Sequence, residues 1–136
     1  MQAFEFLDTE PGNSEDFIVR VPKGIRSAQD LFARLADAGN FPGYFGANWN
    51  ALLDCLRDFS WIPNRTVIIL HADIPLQNAP EECHTYLEIL SSAREDWLRP
   101  PAPDALPATP EWPYVEHDLR IVFPAASRAA IAALLG

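Results

Sequence analysis

A chain of 136 residues, 49% of them hydrophobic, is long enough to bury a core without a disulfide or a metal. The formal net charge of -9 argues against nucleic acid as a partner, because proteins that bind the phosphate backbone need clustered Lys and Arg. No apolar run approaches the roughly 20 residues that span a bilayer, and no signal-peptide pattern opens the chain. We therefore expect one cytoplasmic domain, residues 1–136, that does not bind membranes. The acidity favours a basic partner, although such a surface also keeps a protein soluble.

The N-terminal third predicts two strands and a helix. Residues 3–7 and Phe17–Val21 are short strand-like runs on either side of a turn-rich segment, so they predict a hairpin or one extended first strand. Ser27, followed by Asp30 three residues later, resembles a capping box. It predicts a first helix near Ala28–Ala38, which stops at the following glycine.

A second helix is predicted after Asn48, which is a good N-cap residue. Its apolar residues have the spacing of one buried stripe: Trp49, Leu52, Leu53 and Leu56. Cys55 lies beside this stripe and Cys83 falls in a later helical pattern, so we expect both thiols to be reduced and packed.

The second half of the chain alternates strands with helices. A β-branched run at 65–70 predicts a central parallel strand, and a proline at the first turn opens a third helix at 78–81. Residues 119–123 predict a buried strand and 125–135 a closing helix. The pattern indicates an α/β fold with a small three-stranded parallel sheet packed by helices. Residues 99–114 contain six prolines and form an insertion.

Motifs for catalysis or cofactors are missing from the sequence. It has no glycine-rich phosphate loop and no paired His or Cys motif, so we expect no enzyme activity, no cofactor and no metal. An enzymatic alternative, a hydrolase or nuclease, has support only from four scattered side chains: Asp54, Asp58, His71 and Asp73.

The stretch with the strongest functional signal is GNFPGYFGANWNALLDCLRDF, residues 39–59. Asn50 and Asp54 are four residues apart and share the outward face of the second helix. The preceding loop brings Tyr44, Gly46 and Asn48 to the N-terminal end of that helix. An exposed aromatic beside a fixed acid is typical of a protein-binding hot spot. The alternative is that the loop aromatics fold back onto the core.

This stretch resembles the signature of the barstar family, whose founding member inhibits a secreted ribonuclease by covering its active site. The similarity extends over most of 23–123, through GIRSAQDLFARL, TVIIL, TYLEILSSAREDW and LRIVF. The resemblance implies a barstar-like, non-enzymatic inhibitor or immunity protein. Its partner would be a basic extracellular-type or toxin ribonuclease, not a nucleic acid. An alternative is a barstar-like interaction or regulatory module with a non-nuclease partner, which the proline-rich insertion would contact.

Carried over to this sequence, the resemblance implies that Asp54 is the main electrostatic anchor. Asn50 stands where the founding inhibitor has a second helix aspartate, and Leu53 and Phe59 stand where it has tryptophans. Its glutamate on the last long helix falls at Ser92, with Asp96 one turn later as a substitute. The implied partner-binding residues are Tyr44, Gly46, Asn48, Asn50, Asp54, Asp58, Phe59 and Asp96.

Overall fold

The computed structural model describes residues 3–43, 45–99 and 116–135. Tyr44 and nearly all of the proline-rich insertion lie outside these ranges. In chain order the elements are β1 Glu5–Phe6, β2 Phe17–Val21, α1 Ala28–Ala38, α2 Trp49–Asp58, β3 Thr66–His71, α3 Pro80–Leu98, β4 Asp118–Phe123, a 3-10 turn Ala125–Ser127 and α4 Arg128–Leu135. Within the same ranges, none of the helices has the length and apolarity to cross a membrane.

The sheet has four strands in the order β1-β4-β3-β2, and every neighbouring pair is parallel. The α/β class and the parallel sheet are as predicted, but the sheet has four strands instead of the expected three. The predicted hairpin is wrong, because β1 and β2 lie on opposite edges of the sheet. Arg120 on β4 holds Glu5 on β1 with two hydrogen bonds, of 2.8 Å and 2.7 Å, which favours this edge position.

The connection between β1 and β2 packs on one face of the central strand. Val67 and Ile69 on β3 belong to the core that the helices close. The side chain of Ile68 points the other way, as alternation along a strand requires, yet it is fully buried. A Cβ atom added at Gly12 would lie 2.8 Å from Cδ1 of Ile68, so this connection packs directly on β3. Both faces of the central strand are therefore covered, as its apolar run predicted.

The first three helices begin where the sequence placed them, whereas a 3-10 turn, Ala125–Ser127, takes the first residues of the predicted closing helix. The side chain of Ser27 accepts a hydrogen bond of 3.1 Å from the backbone N–H of Asp30, and this cap opens α1. Pro80 is the first residue of α3, and its first turn carries the two acids that suit the positive end of a helix dipole. The core side of α3 is apolar and buries Cys83, Tyr86, Leu87, Leu90 and Ala93.

Candidate protein-binding face

The loop before α2 is fixed to the core by its phenylalanines. Phe45 lies edge-on to Phe41 and to Phe32, with ring centroids 5.1 Å and 6.1 Å apart. The indole N–H of Trp61 donates a 2.9 Å hydrogen bond to the carbonyl of Gly39 at the start of the loop. The alternative that a loop aromatic folds back onto the core is therefore confirmed for Phe45.

Asn48 connects this loop to α2. Its Oδ1 accepts a 2.8 Å hydrogen bond from the backbone N–H of Ala51, and its Nδ2 donates a 3.3 Å bond to the carbonyl of Gly46. Both Asn48 and Gly46 are exposed. A Cβ atom at Gly46 would approach Nδ2 of Asn48 to 3.2 Å, so a side chain there would press on the cap. Asn48 thus fixes the start of α2 through its hydrogen bonds to the backbone of Gly46 and Ala51.

Replacing Asn48 with alanine is expected to lower the free energy of unfolding by about 1 kcal/mol, since a helix N-terminal N–H loses its partner. Ser27→Ala is the matched control, because it removes an equivalent cap from α1. Urea unfolding of both variants measures the cost. If Asn48→Ala unfolds at the same urea concentration as the unmodified protein, the side chain does not stabilise α2.

The second helix separates a buried side from an open one. Leu52 and Leu56 are fully buried, and Trp49 and Leu53 are partly buried against the core, so the predicted stripe is confirmed. The opposite side carries exposed polar residues, among them Asn50, Asp54 and Asp58. The carboxylate of Asp54 belongs to a side chain that is 71% exposed. Asp58 is also exposed and accepts a 3.2 Å hydrogen bond from the hydroxyl of Ser60.

Arg57 connects this open side to α3. Its Nη2 lies 3.1 Å from Oδ1 of Asp54, and its Nη1 lies 3.2 Å from Oδ2 of Asp96. The other oxygen of Asp96 pairs with Arg99 at 3.4 Å. The structure therefore places Asp54 and Asp96 on either side of one arginine, which the sequence did not predict there. The only sequence signal for it was the i, i+3 spacing from Asp54.

Phe59 does not lie on this face. Its side chain has an exposed fraction of 0% and packs against Trp61 and His117, with ring centroids 5.6 Å and 5.9 Å apart. The residue ends α2 in the left-handed conformation, with φ of 47°. Its implied place among the partner-contacting side chains is thus corrected by its burial in the core.

The C-terminal end of α2 is held from outside the helix. The indole N–H of Trp97 donates a 2.8 Å hydrogen bond to the carbonyl of Leu56. Nε2 of His117 lies 3.0 Å from the carbonyl of Phe59, and because a carbonyl only accepts, Nε2 carries the proton. The carbonyls at the end of a helix have no hydrogen-bond partner within the helix, and these two bonds supply one from outside. Together with the Asn48 cap, they fix both ends of α2.

The thiol of Cys55 lies just beneath the face. Burial is the main cause that raises its pKa to about 11, and the charges of Asp58 and Asp54 add to the effect. The thiol therefore stays protonated near neutral pH, and both cysteines are free and buried. A packed thiol agrees with the sequence prediction.

His71 and Asp73, the two remaining members of the enzymatic alternative, are engaged elsewhere. Nδ1 of His71 donates to the carbonyl of Val122 at 3.0 Å, and Nε2 accepts from the hydroxyl of Tyr86 at 2.7 Å. Oδ2 of Asp73 accepts a 3.2 Å hydrogen bond from the backbone N–H of Gly24. The imidazole is buried and both of its nitrogens are in hydrogen bonds. It is therefore not placed to act as a general base beside the carboxylates of α2.

A comparison with models of known protein families identifies a family for this chain. The family model described as Barstar (barnase inhibitor) matches residues 17–108, which run from β2 through α3 and cover more than half of the chain. Neither the curated proteins nor the solved structures show a significant match. The matched segment contains the whole loop and helix that form the face, whereas β1, β4 and α4 lie outside it.

Proposed function

Because the chain belongs to the barstar family, we propose that it is a non-enzymatic inhibitor that binds and blocks the active site of a basic ribonuclease. The contact surface would be the exposed loop and the open side of α2. Its proposed residues are Tyr44, Gly46, Asn48, Asn50, Asp54, Asp58 and Asp96. The proposal includes an immunity role against a toxin ribonuclease in the cytoplasm.

The observation that carries the proposal is the exposure of the Asp54 carboxylate on a helix whose other side is buried in the core. A carboxylate in this position can replace a substrate phosphate in front of cationic side chains, since both groups accept charge-assisted hydrogen bonds. The net charge of -9 would also attract a basic protein and speed its association at low salt.

Rigidity of the helix supports the same function. Asn48 caps one end of α2, and Trp97 and His117 hold carbonyls at the other. A contact surface that is already ordered loses little conformational freedom on binding, so more of the contact energy remains as affinity.

The proposal is tested by inhibition of ribonuclease activity, with barnase and any basic ribonuclease encoded beside this gene as the two probes. Asp54→Asn is expected to weaken inhibition of the ribonuclease that is bound at least about 10-fold, because an interface anchor loses its charge. Asp30→Asn is the matched control, since Asp30 is also an exposed carboxylate paired with an arginine on its own helix, but it lies on α1. Equal effects of the two variants would show that the assigned face is wrong, and the proposed function fails if neither probe is inhibited.

A further inference from the structure

Arg57 lies on the same open face as the carboxylates. Its side chain is 44% exposed, and its guanidinium contacts Asp54 on one side and Asp96 on the other, at 3.1 Å and 3.2 Å. It therefore joins α2 to α3 across the surface. The hydrogen bond that Arg57 donates to Asp96 is the main cause that raises the pKa of Arg57. An arginine side chain is charged throughout the physiological pH range even without this effect.

The Arg57 cation changes the charge that the face presents to a partner. Asp54, Asp58 and Asp96 supply three negative charges, and Arg57 and Arg99, which pair with two of them, supply two positive charges. The face as a whole is then only weakly acidic, although the chain is strongly acidic. Its charges also alternate, with a guanidinium between two carboxylates.

We propose that Arg57 determines which ribonuclease this face accepts: it disfavours a cleft that presents only cations and favours one that places a carboxylate opposite Arg57. The inference rests on the proposed function and names the partner class of that same face. A cation approaching Asp54 or Asp96 also approaches Arg57, and like charges that face each other in an interface are strongly unfavourable. Specificity follows because the repulsion acts against some partners and not others.

If Arg57 served only to join α2 to α3, its loss would lower stability and leave the affinity for a partner unchanged. Ion pairs between exposed side chains contribute little to stability, so we expect the loss of Arg57 to change the free energy of unfolding only slightly. Its position between two carboxylates has a larger effect on binding, where the approach of a partner removes water and strengthens charge interactions.

The test measures binding of barnase, used as a basic ribonuclease probe, to the unmodified protein, Arg57→Gln, Arg57→Lys and a charge-matched control. We expect Arg57→Gln to bind barnase at least about 10-fold more tightly, mainly through faster association that salt suppresses. Arg57→Lys keeps the charge and should stay within about threefold of the unmodified protein. Arg34→Gln is the control, because Arg34 is 58% exposed and pairs with Asp30 on α1, away from this face. Its effect should also stay within about threefold.

The proposal is overturned if Arg57→Gln binds barnase no more tightly than Arg34→Gln, or if neither variant binds it. It is also overturned if Arg57→Lys gains as much affinity as Arg57→Gln. A gain in Arg57→Gln alone supports it, even where the unmodified protein leaves barnase active. Inhibition of a ribonuclease by the unmodified protein tests the proposed function separately, so that the two failures are distinguishable.

Discussion

Replacing Phe59 with alanine is expected to lower the free energy of unfolding by about 3–5 kcal/mol. The ring is fully buried at the end of α2, between Trp61 and His117, so its removal leaves a cavity that the surrounding backbone cannot close completely. Urea unfolding followed by tryptophan fluorescence measures the loss. Inhibition should weaken only to the extent that the variant is unfolded, because the side chain does not reach the surface.

A second substitution separates packing from backbone conformation. Phe59→Gly removes the same ring but suits the left-handed conformation of this residue, whose φ is 47°. We expect Phe59→Gly to be no less stable than Phe59→Ala. A fully stable Phe59→Ala protein with weakened inhibition would place the ring at the interface instead of in the core.

Lowering the pH from 6.5 to 4 is expected to destabilise the protein by up to about 3 kcal/mol through His71. Burial lowers the pKa of this histidine from 6.5 to about 4 in the folded protein. The unfolded chain therefore binds the proton first as the pH falls. The contribution of His71 to stability is complete above pH 6.5 and decreases as the pH approaches 4.

The variant His71→Gln identifies the group responsible for this pH dependence. Glutamine retains a donor and an acceptor for the carbonyl of Val122 and the hydroxyl of Tyr86, but it does not titrate. The free energy of unfolding of the variant, measured by urea at pH 7, 5.5 and 4.5, should fall less steeply than that of the unmodified protein. Identical slopes in the two proteins would assign the pH dependence to other groups.

Most elements could be predicted because their signals are local. Ser27 and Asn48 each accept the cap hydrogen bond that their position predicted, and β3 is the apolar run that its composition indicated. The edge to which β1 adds was not predictable, since its register depends on β4, more than one hundred residues later. The turn-rich segment between β1 and β2 is compatible with a hairpin as well as with a crossing over the sheet.

The candidate face shows the same division between features with a local sequence signal and features that depend on long-range packing. Helical periodicity alone placed Asn50 and Asp54 on the open side of α2. The bridge from Arg57 to Asp96 depends on how α2 packs against α3, which no local spacing specifies. The resemblance implies that Phe59 contacts the partner, because it stands where the founding inhibitor has a tryptophan. The ring is instead buried, and Phe59 ends α2 in the left-handed conformation, for which a residue other than glycine gives no sequence signal.

Trp97 and His117, which hold the end of α2, also lie on either side of the connection between α3 and β4. Trp97 lies just before the segment 100–115 and His117 just after it, and they bond to carbonyls only three residues apart at the end of α2. The two ends of this connection are thereby fixed close together. Closing a longer loop between fixed ends costs only about 0.6 kcal/mol for each doubling of its length. The end of α2 therefore sets the distance that any segment joining α3 to β4 has to span.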